Sequence, residues 1–523
     1  MTYSKVNASA ATLTRNRTEE CPISGLCVTC VDGCPGPCEV GKSAIRGAEV
    51  IYPQPFGIIT TGSQKDYPID LSHFNIMGTA VGAVGIEADS DKAIFPRVDI
   101  ETKVGKGNGI KLKVPWFTCG LGSTNIAKTN WNELAAGAAI SGSMQVVGEN
   151  VCGMDVDSEI KNGKVVRSPD LEWRVKTFQK WQQDGYGAIV VQSNIEDTRL
   201  GVLEYSIAEL GVDTVELKWG QGAKDIGGEV KINKLEKAQL LKKRGYVVLP
   251  DPEDPEVISA FKKGSFKEFE RHSRVGMVTE ESFLSRVKEL RGLGAKHVFL
   301  KTGAYRPSDL ARAVKFSSLA GIDLLTVDGA GGGTGMSPWR MMNEWGMPCI
   351  EIWSLTHRYT DILAKRGEPV SDVAFAGGIT MEDQIFKALA LGAPYVKAIG
   401  MARAPITAAM VAKNVGQRVR ERDLPVYYGR FGSSLEEIFV EGPSLKNKLG
   451  KRYDDLPTGA LGIYTYYQRL TQGLRQLMCG ARKFGLKHLS RNDIVALTPE
   501  AAKVSGIAYV MDADKDEVEK ILR

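Results

Sequence analysis

The stretch VAFAGGITMEDQIFKALALGAPYVKAIGMARAP, Val373 to Pro405, decides the fold. It opens on a short apolar run, Val373–Ala376, and breaks at Gly377-Gly378. An amphipathic pattern follows over Met381–Leu391, then a second apolar run, Tyr395–Ile399, ending in Gly400-Met401-Ala402-Arg403. Short apolar runs beside glycine read as buried strands. The longer periodic stretch between them reads as the helix that crosses from one parallel strand to the next.

Working outward, the same alternation recurs. Strand patterns fall at Val114–Thr118, Met144–Val147, Ala188–Gln192, Val215–Trp219, His297–Thr302 and Leu324–Asp328, with helical patterns such as Glu281–Leu293 and Pro307–Ala320. Eight βα units of this kind predict an α/β fold, a (β/α)8 TIM barrel, although an open doubly wound sheet shares the local pattern. The interval from Gly220 to about Leu290 is long for a connection. Pro250, Pro252 and Pro255 within it predict a loop that serves as a lid or substrate wall. The expected organisation is a cysteine-rich iron–sulfur segment (1–45), a β-rich connecting region (46–110), the barrel (111–420) and a C-terminal helical extension (421–523).

Composition narrows the function classes. The 523 residues are 43% hydrophobic and 25% charged, ordinary for a globular protein. Lys and Arg number 67 against 62 Asp and Glu, a balance that predicts neither nucleic acid nor membrane as partner. No window reaches the ~18 consecutive apolar residues of a membrane span, and Met1 to Glu20 is too polar for a secretion signal. A cytoplasmic protein is expected, whose nine cysteines are not a disulfide framework.

Five of those cysteines crowd into CPISGLCVTCVDGCPGPC, Cys21 to Cys38. Thiolates at such short spacing, with a proline after a ligand, predict an iron–sulfur cluster; zinc is the rival. Cys27, Cys30, Cys34 and Cys38 are the expected ligands, with Cys21 in reserve, and a 4Fe–4S cluster is preferred to a 3Fe–4S one.

The loops after strands seven and eight are where such barrels hold phosphate. Gly377, Gly378 and Gly400 permit close backbone approach, and Met401 and Arg403 lead into a helix N-terminus. The string from Gly377 to Gly400 resembles the phosphate-binding signature of FMN-dependent barrel oxidoreductases. DGAGGGTGMSP, Asp328 to Pro338, and KWGQGAK, Lys218 to Lys224, resemble the FMN-binding domain of the glutamate synthase family. The tail segments GLRQLMCGARKF and SRNDIVALTPEAA are similar to its archaeal-type, single-chain form, which has no glutaminase domain.

That resemblance implies FMN as cofactor, with Gln192 and Lys301 facing the flavin and Gly331, Gly332, Gly333 and Thr334 covering its ring or phosphate. It implies Gln221, Lys224 and Arg244 as 2-oxo acid ligands, and Glu149, Lys224 and Lys301 as catalytic residues. Cationic forks suit a dicarboxylate. The implied activity is reduction of a 2-imino acid derived from 2-oxoglutarate, with electrons from ferredoxin or from a reductase or glutaminase partner subunit, in an oligomer. Two departures from the family pattern, at Gly148–Gly153 and Asp251–His272, keep other readings open: flavin chemistry on another small acid or amine, such as N-methylglutamate synthesis, or an electron-transfer subunit. The family's usual cluster cysteines after strand eight are absent from Ala408–Gly416.

Overall fold

A computed structural model describes residues 65–87, 89–222, 229–332 and 337–523, together with Ala44. Eight parallel strands close into a barrel in chain order. They are β1 (Trp116–Leu121), β2 (Gln145–Val147), β3 (Ile189–Ser193), β4 (Thr214–Lys218), β5 (His297–Thr302), β6 (Leu324–Asp328), β7 (Asp372–Ala376) and β8 (Val396–Met401). The (β/α)8 architecture expected from the alternation is therefore present, and closure by β8 pairing with β1, Met401 opposite Thr118, excludes the open sheet.

Local chemistry explains the crossovers. Gly377 and Gly378 after β7 have φ of 146° and 107°, where a side chain is strained. Gln384 then accepts from the N–H groups of Thr380 and Met381 (2.8 and 3.1 Å), satisfying donors at the start of the helix Glu382–Leu391. Helix Pro307–Ala320 takes its proline in the first turn and ends on left-handed Gly321, whose N–H returns to Ser317 and Ser318.

Two faces of each strand serve two cores, because side chains alternate along a strand. The outward set, including Val191, Val215, Leu300, Leu325 and Phe375, packs on the surrounding helices. The inward set, including Phe117, Val146, Val190, Phe299, Leu324 and Ala398, fills the barrel. A hairpin of Thr102–Val104 and Ile110–Leu112 adds Val104, Ile110 and Leu112 to that interior. Its turn binds Asp372 at the start of β7 through Gly105 N–H (2.8 Å), so it closes the N-terminal end. Chemistry is left to the opposite end.

The interval between β4 and β5 corrects the loop reading. Among its described residues it is a folded unit: an antiparallel sheet in which Phe269–His272 lies between Glu229–Ile232 and Val247–Leu249, with helices Leu235–Lys243 and Pro255–Lys262. Ile232, Leu241, Tyr246, Val248 and Phe269 give it a core of its own. Pro255 starts a helix, with Asp254 capping it, so that proline marks an N-terminus instead of a break.

The C-terminal extension wraps the barrel. Helix Thr458–Gly480 lies against Trp131–Ile140 and Arg403–Glu421. A Cβ at Gly462 would sit 2.3 Å from that of Ala412, so this crossing requires glycine. Tyr467 meets Trp116 of β1 edge-on at 5.7 Å. Farther along, Ile494–Ala496 pairs antiparallel with Phe74–Ile76. Among the described residues no helix is long and apolar enough to cross a membrane.

Leu112 is fully buried under the barrel floor. Leu112→Ala should cost about 2–5 kcal/mol, read as a lower urea midpoint. Exposed Lys111→Ala, on the other face of the same strand, should stay within about 0.5 kcal/mol.

Candidate active site

Above the apolar interior the strands change character. Their inward positions at the C-terminal mouth are Cys119, Gln192, Glu216, Lys218, Lys301 and Asp328, followed by Ala376 and Gly400 on β7 and β8. Register makes neighbours of them: Gln192 stands opposite Glu216, and Lys218 opposite Lys301. Gln192 donates its amide N–H to the Glu216 carboxylate, leaving its Oε1 buried and, among the described residues, without a hydrogen-bond partner.

Lys301 is 5% exposed and pairs with Asp328 at 2.9 Å. Burial by itself favours the neutral amine, but Asp328, Cys119 and Glu216 outweigh it and hold the pKa above the ordinary lysine value. The Asp328 carboxylate thus favours the charged ammonium. Cys119 is pushed up to about 12 by burial, against the pull of Lys301, so it stays a thiol.

A second cluster lies beside the first. Lys218 Nζ donates to Glu149 Oε1 at 2.8 Å and to Gln221 Oε1 at 2.7 Å. Glu149 comes from the loop after β2, whose path is set by two neighbours. Ser123 N–H donates to the Glu149 carbonyl (3.2 Å), and Asn150 N–H donates to both oxygens of Asp197 (3.1 and 2.9 Å). Asp197 itself is buried, and burial pushes its pKa up to about 7 despite these hydrogen bonds.

The expected site residues sort as follows. Gln192, Lys301, Glu149 and Gln221 gather at the mouth. Gly331, Gly377 and Gly378 border a cavity of about 330 Å³ that also reaches Cys349, Trp353 and Gln384. Gly332 approaches Gly377 across the ends of β6 and β7, a Cβ there falling 3.1 Å from the Gly377 Cα. Gly400 packs so closely on β1 that a Cβ would meet Cys119 Sγ at 2.4 Å. Met401 is buried at the end of β8, and exposed Arg403 begins the helix Arg403–Glu421. Neither Gly400, Met401 nor Arg403 walls the cavity.

Arg244 lies apart from these: its guanidinium donates to the carbonyls of Gly153 (2.9 Å), Asp155 (2.6 Å) and Ser158 (2.8 Å), and more weakly to Val156. Lys224, Gly333 and Thr334 lie outside the described residues, as do Cys27, Cys30, Cys34, Cys38 and Cys21. Among the described residues no group of three or more His, Cys, Asp or Glu side chains is placed to hold a metal, and Cys119, Cys152, Cys349 and Cys479 are free.

Lys218, Glu216, Asp328 and Asp197 were not singled out from the sequence. Strand parity carried the signal for the first three: Glu216 and Lys218 share one face of β4, and Asp328 shares the face of Leu324 on β6.

Residues 271–415 match the model of the conserved region in glutamate synthase, a span that includes β5 to β8 and most of the helix after β8. No curated protein matches the chain. Among solved structures, the flavin-binding domain of baker's yeast flavocytochrome b2 aligns at 13% identity and a TM-score of 0.46, covering 86% of this chain and 81% of that one. A mandelate oxidase mutant with benzaldehyde aligns at 14% and 0.43, covering 80% and 86%.

Asp197 gives this site a pH signature. A carboxyl whose pKa is higher folded than unfolded binds its proton more tightly in the native state. Its contribution is full below about pH 4 and is lost as pH rises to about 7. Asp197→Asn removes that dependence. Relative to wild type, the variant should gain on the order of 1–4 kcal/mol between pH 4 and pH 8, measured by urea unfolding at both. An unchanged difference would show that Asp197 titrates normally.

Proposed function

We propose that this chain is an FMN-dependent oxidoreductase of the glutamate synthase kind, acting on a 2-imino acid formed from 2-oxoglutarate and ammonia. The observation that carries the reading is the mouth layer itself: a buried Lys301 ion-paired with Asp328 and the Gln192 amide oxygen, unpartnered among the described residues, with the Lys218–Glu149–Gln221 cluster alongside. The match of residues 271–415 supports it, since Lys301, Asp328 and the glycine ends of β6 to β8 all fall there.

These residues fit a flavin. An acceptor left open in a buried layer suits a ring bearing N–H groups, and a fixed ammonium suits the ring edge where negative charge gathers on reduction. FMN, when bound, supplies hydride transfer and can accept electrons one at a time. Gly377, Gly378, Gly400, Met401 and Arg403 would take the phosphate, using backbone N–H groups and the start of the long helix Arg403–Glu421. Gly331 to Thr334 would close over the cofactor.

The substrate falls to the second cluster. Lysine has three N–H donors, and Glu149 and Gln221 take two of those on Lys218, so the third can receive a substrate carboxylate, with Lys224 close in sequence. Glu149 would deliver the proton to the imino nitrogen. Electrons would arrive from ferredoxin or a reductase or glutaminase partner subunit through a cluster on Cys27, Cys30, Cys34 and Cys38, in a cytosolic oligomer.

Two measurements test this. Protein purified anaerobically should carry FMN, iron and acid-labile sulfide, and Cys30→Ser should lose the iron while keeping FMN; zinc without sulfide would end the cluster assignment. After anaerobic reduction, 2-oxoglutarate with ammonia should reoxidise the flavin in stopped flow. Lys218→Ala should slow that step at least about tenfold, as loss of a charge-assisted contact implies. A wild type that never reoxidises with this pair rejects the reading.

A further inference from the structure

Besides an ion pair of Arg274 with Glu196 on the helix after β3, several bonds from the folded unit between β4 and β5 fall on one short stretch, the loop that follows Glu149. Arg244 stands just past the helix Leu235–Lys243 and spreads its fork over the carbonyls of Gly153, Asp155, Val156 and Ser158. Gly153 and its neighbours end a single helical turn, Val151–Met154, whose last carbonyls have no helical partner. The guanidinium takes that place. Two residues on, Tyr246 is 3% exposed and directs its hydroxyl to Asn150 Oδ1 at 3.3 Å. The ring comes so close that a Cβ at Gly153 would fall 1.8 Å from the hydroxyl oxygen.

Asn150 is held from two sides. Its φ is +65°, a left-handed conformation that Asn adopts more readily than other non-glycine residues. Asp197 holds its N–H from the barrel side, and Tyr246 holds its side chain from the inserted unit. Arg271, 1% exposed, lies 4.9 Å from the Tyr246 ring centre and donates to Ser273, so the ring is braced from behind. Arg199, from the helix after β3, donates to the Arg244 carbonyl at 2.7 Å and closes the circuit.

We propose that Arg244 and Tyr246 are positioning residues for Glu149: they fix the loop after β2 in the one conformation that sets the Glu149 carboxylate against Lys218. This rests on the proposed function only for the chemical part played by Glu149. Arg244 is then not a substrate ligand. Both terminal nitrogens of its fork are engaged by carbonyls, and a substrate carboxylate would have to break the loop to reach them.

The test uses the full-length, flavin-loaded protein. Arg244→Lys keeps the charge, but a compact ammonium cannot span carbonyls spread from residue 153 to 158. In hydrogen–deuterium exchange without substrate, amides of residues 149–158 should exchange about tenfold faster in the variant while β5 to β8 remain unchanged. In flavin reoxidation, the limiting rate should fall about tenfold with the half-saturating 2-oxoglutarate concentration within about twofold of wild type, the pattern of lost orientation. In a Glu149→Gln background Arg244→Lys should slow reoxidation no further, because the group it positions is gone. Unchanged exchange, or a raised half-saturation with a normal limiting rate, overturns the proposal and returns Arg244 to the substrate. If wild type is not reoxidised by this pair, the proposed function fails by itself, and the exchange result decides the role of Arg244. Should Arg244→Lys not fold, Tyr246→Phe gives the same readouts at about threefold amplitude.

Discussion

A lysine buried in a barrel must either lose its proton or find its charge answered within a few ångströms. Lys301 takes the second course, and much of the mouth follows from it. Asp328 on the adjacent strand supplies the answer at 2.9 Å, which requires β5 and β6 to be paired in the register observed, Lys301 beside Thr326 and Thr302 beside Val327. Burial pushes the Glu216 carboxyl up, and the neighbouring ammonium opposes that shift, while Cys119 beside it stays a neutral thiol. One ion pair thus fixes strand register, protonation and the electrostatic character of the opening together.

The rest of the architecture protects that layer. The hairpin at the N-terminal end and the apolar interior above it keep water from the far side, while the long helix Thr458–Gly480 covers β1 from outside. The mouth is thereby left as the polar face of an otherwise dry barrel, where electrostatic interactions count for more than in solvent.

The barrel was legible in the sequence because each strand is short, apolar and followed by a helical period. All eight of the stretches read as strands lie in the barrel. What sequence could not carry was direction. The resemblance implies a place for Arg244 along the chain but not which way its guanidinium turns, and it turns to the backbone of residues 153–158. Pro250, Pro252 and Pro255 suggest a loop from sequence; Pro255 instead begins a helix, since its missing N–H is one that a first turn leaves unbonded. Lys218 and Asp328 stood inside quoted motifs and became visible as site residues only once the register of neighbouring strands was known. Of the two departures noted from the family pattern, Gly148–Gly153 is met by Arg244 and Tyr246, and Asp251–His272 reaches that contact through Arg271, 4.9 Å from the Tyr246 ring centre.

The placement of helix Thr458–Gly480 bears on how the chain is made. A polypeptide leaves the ribosome from its N-terminus, so β1 and the helix Trp131–Ile140 emerge more than three hundred residues before the helix that covers them. Trp116, wholly buried in the finished protein, lacks its Tyr467 neighbour throughout that time. β1 also waits for β8, and until then it presents an unpaired edge of the kind that recruits other chains. Synthesis must pass Gly480 before the ring is both closed and covered, so the interval of greatest exposure falls while the polypeptide is still tethered to the ribosome.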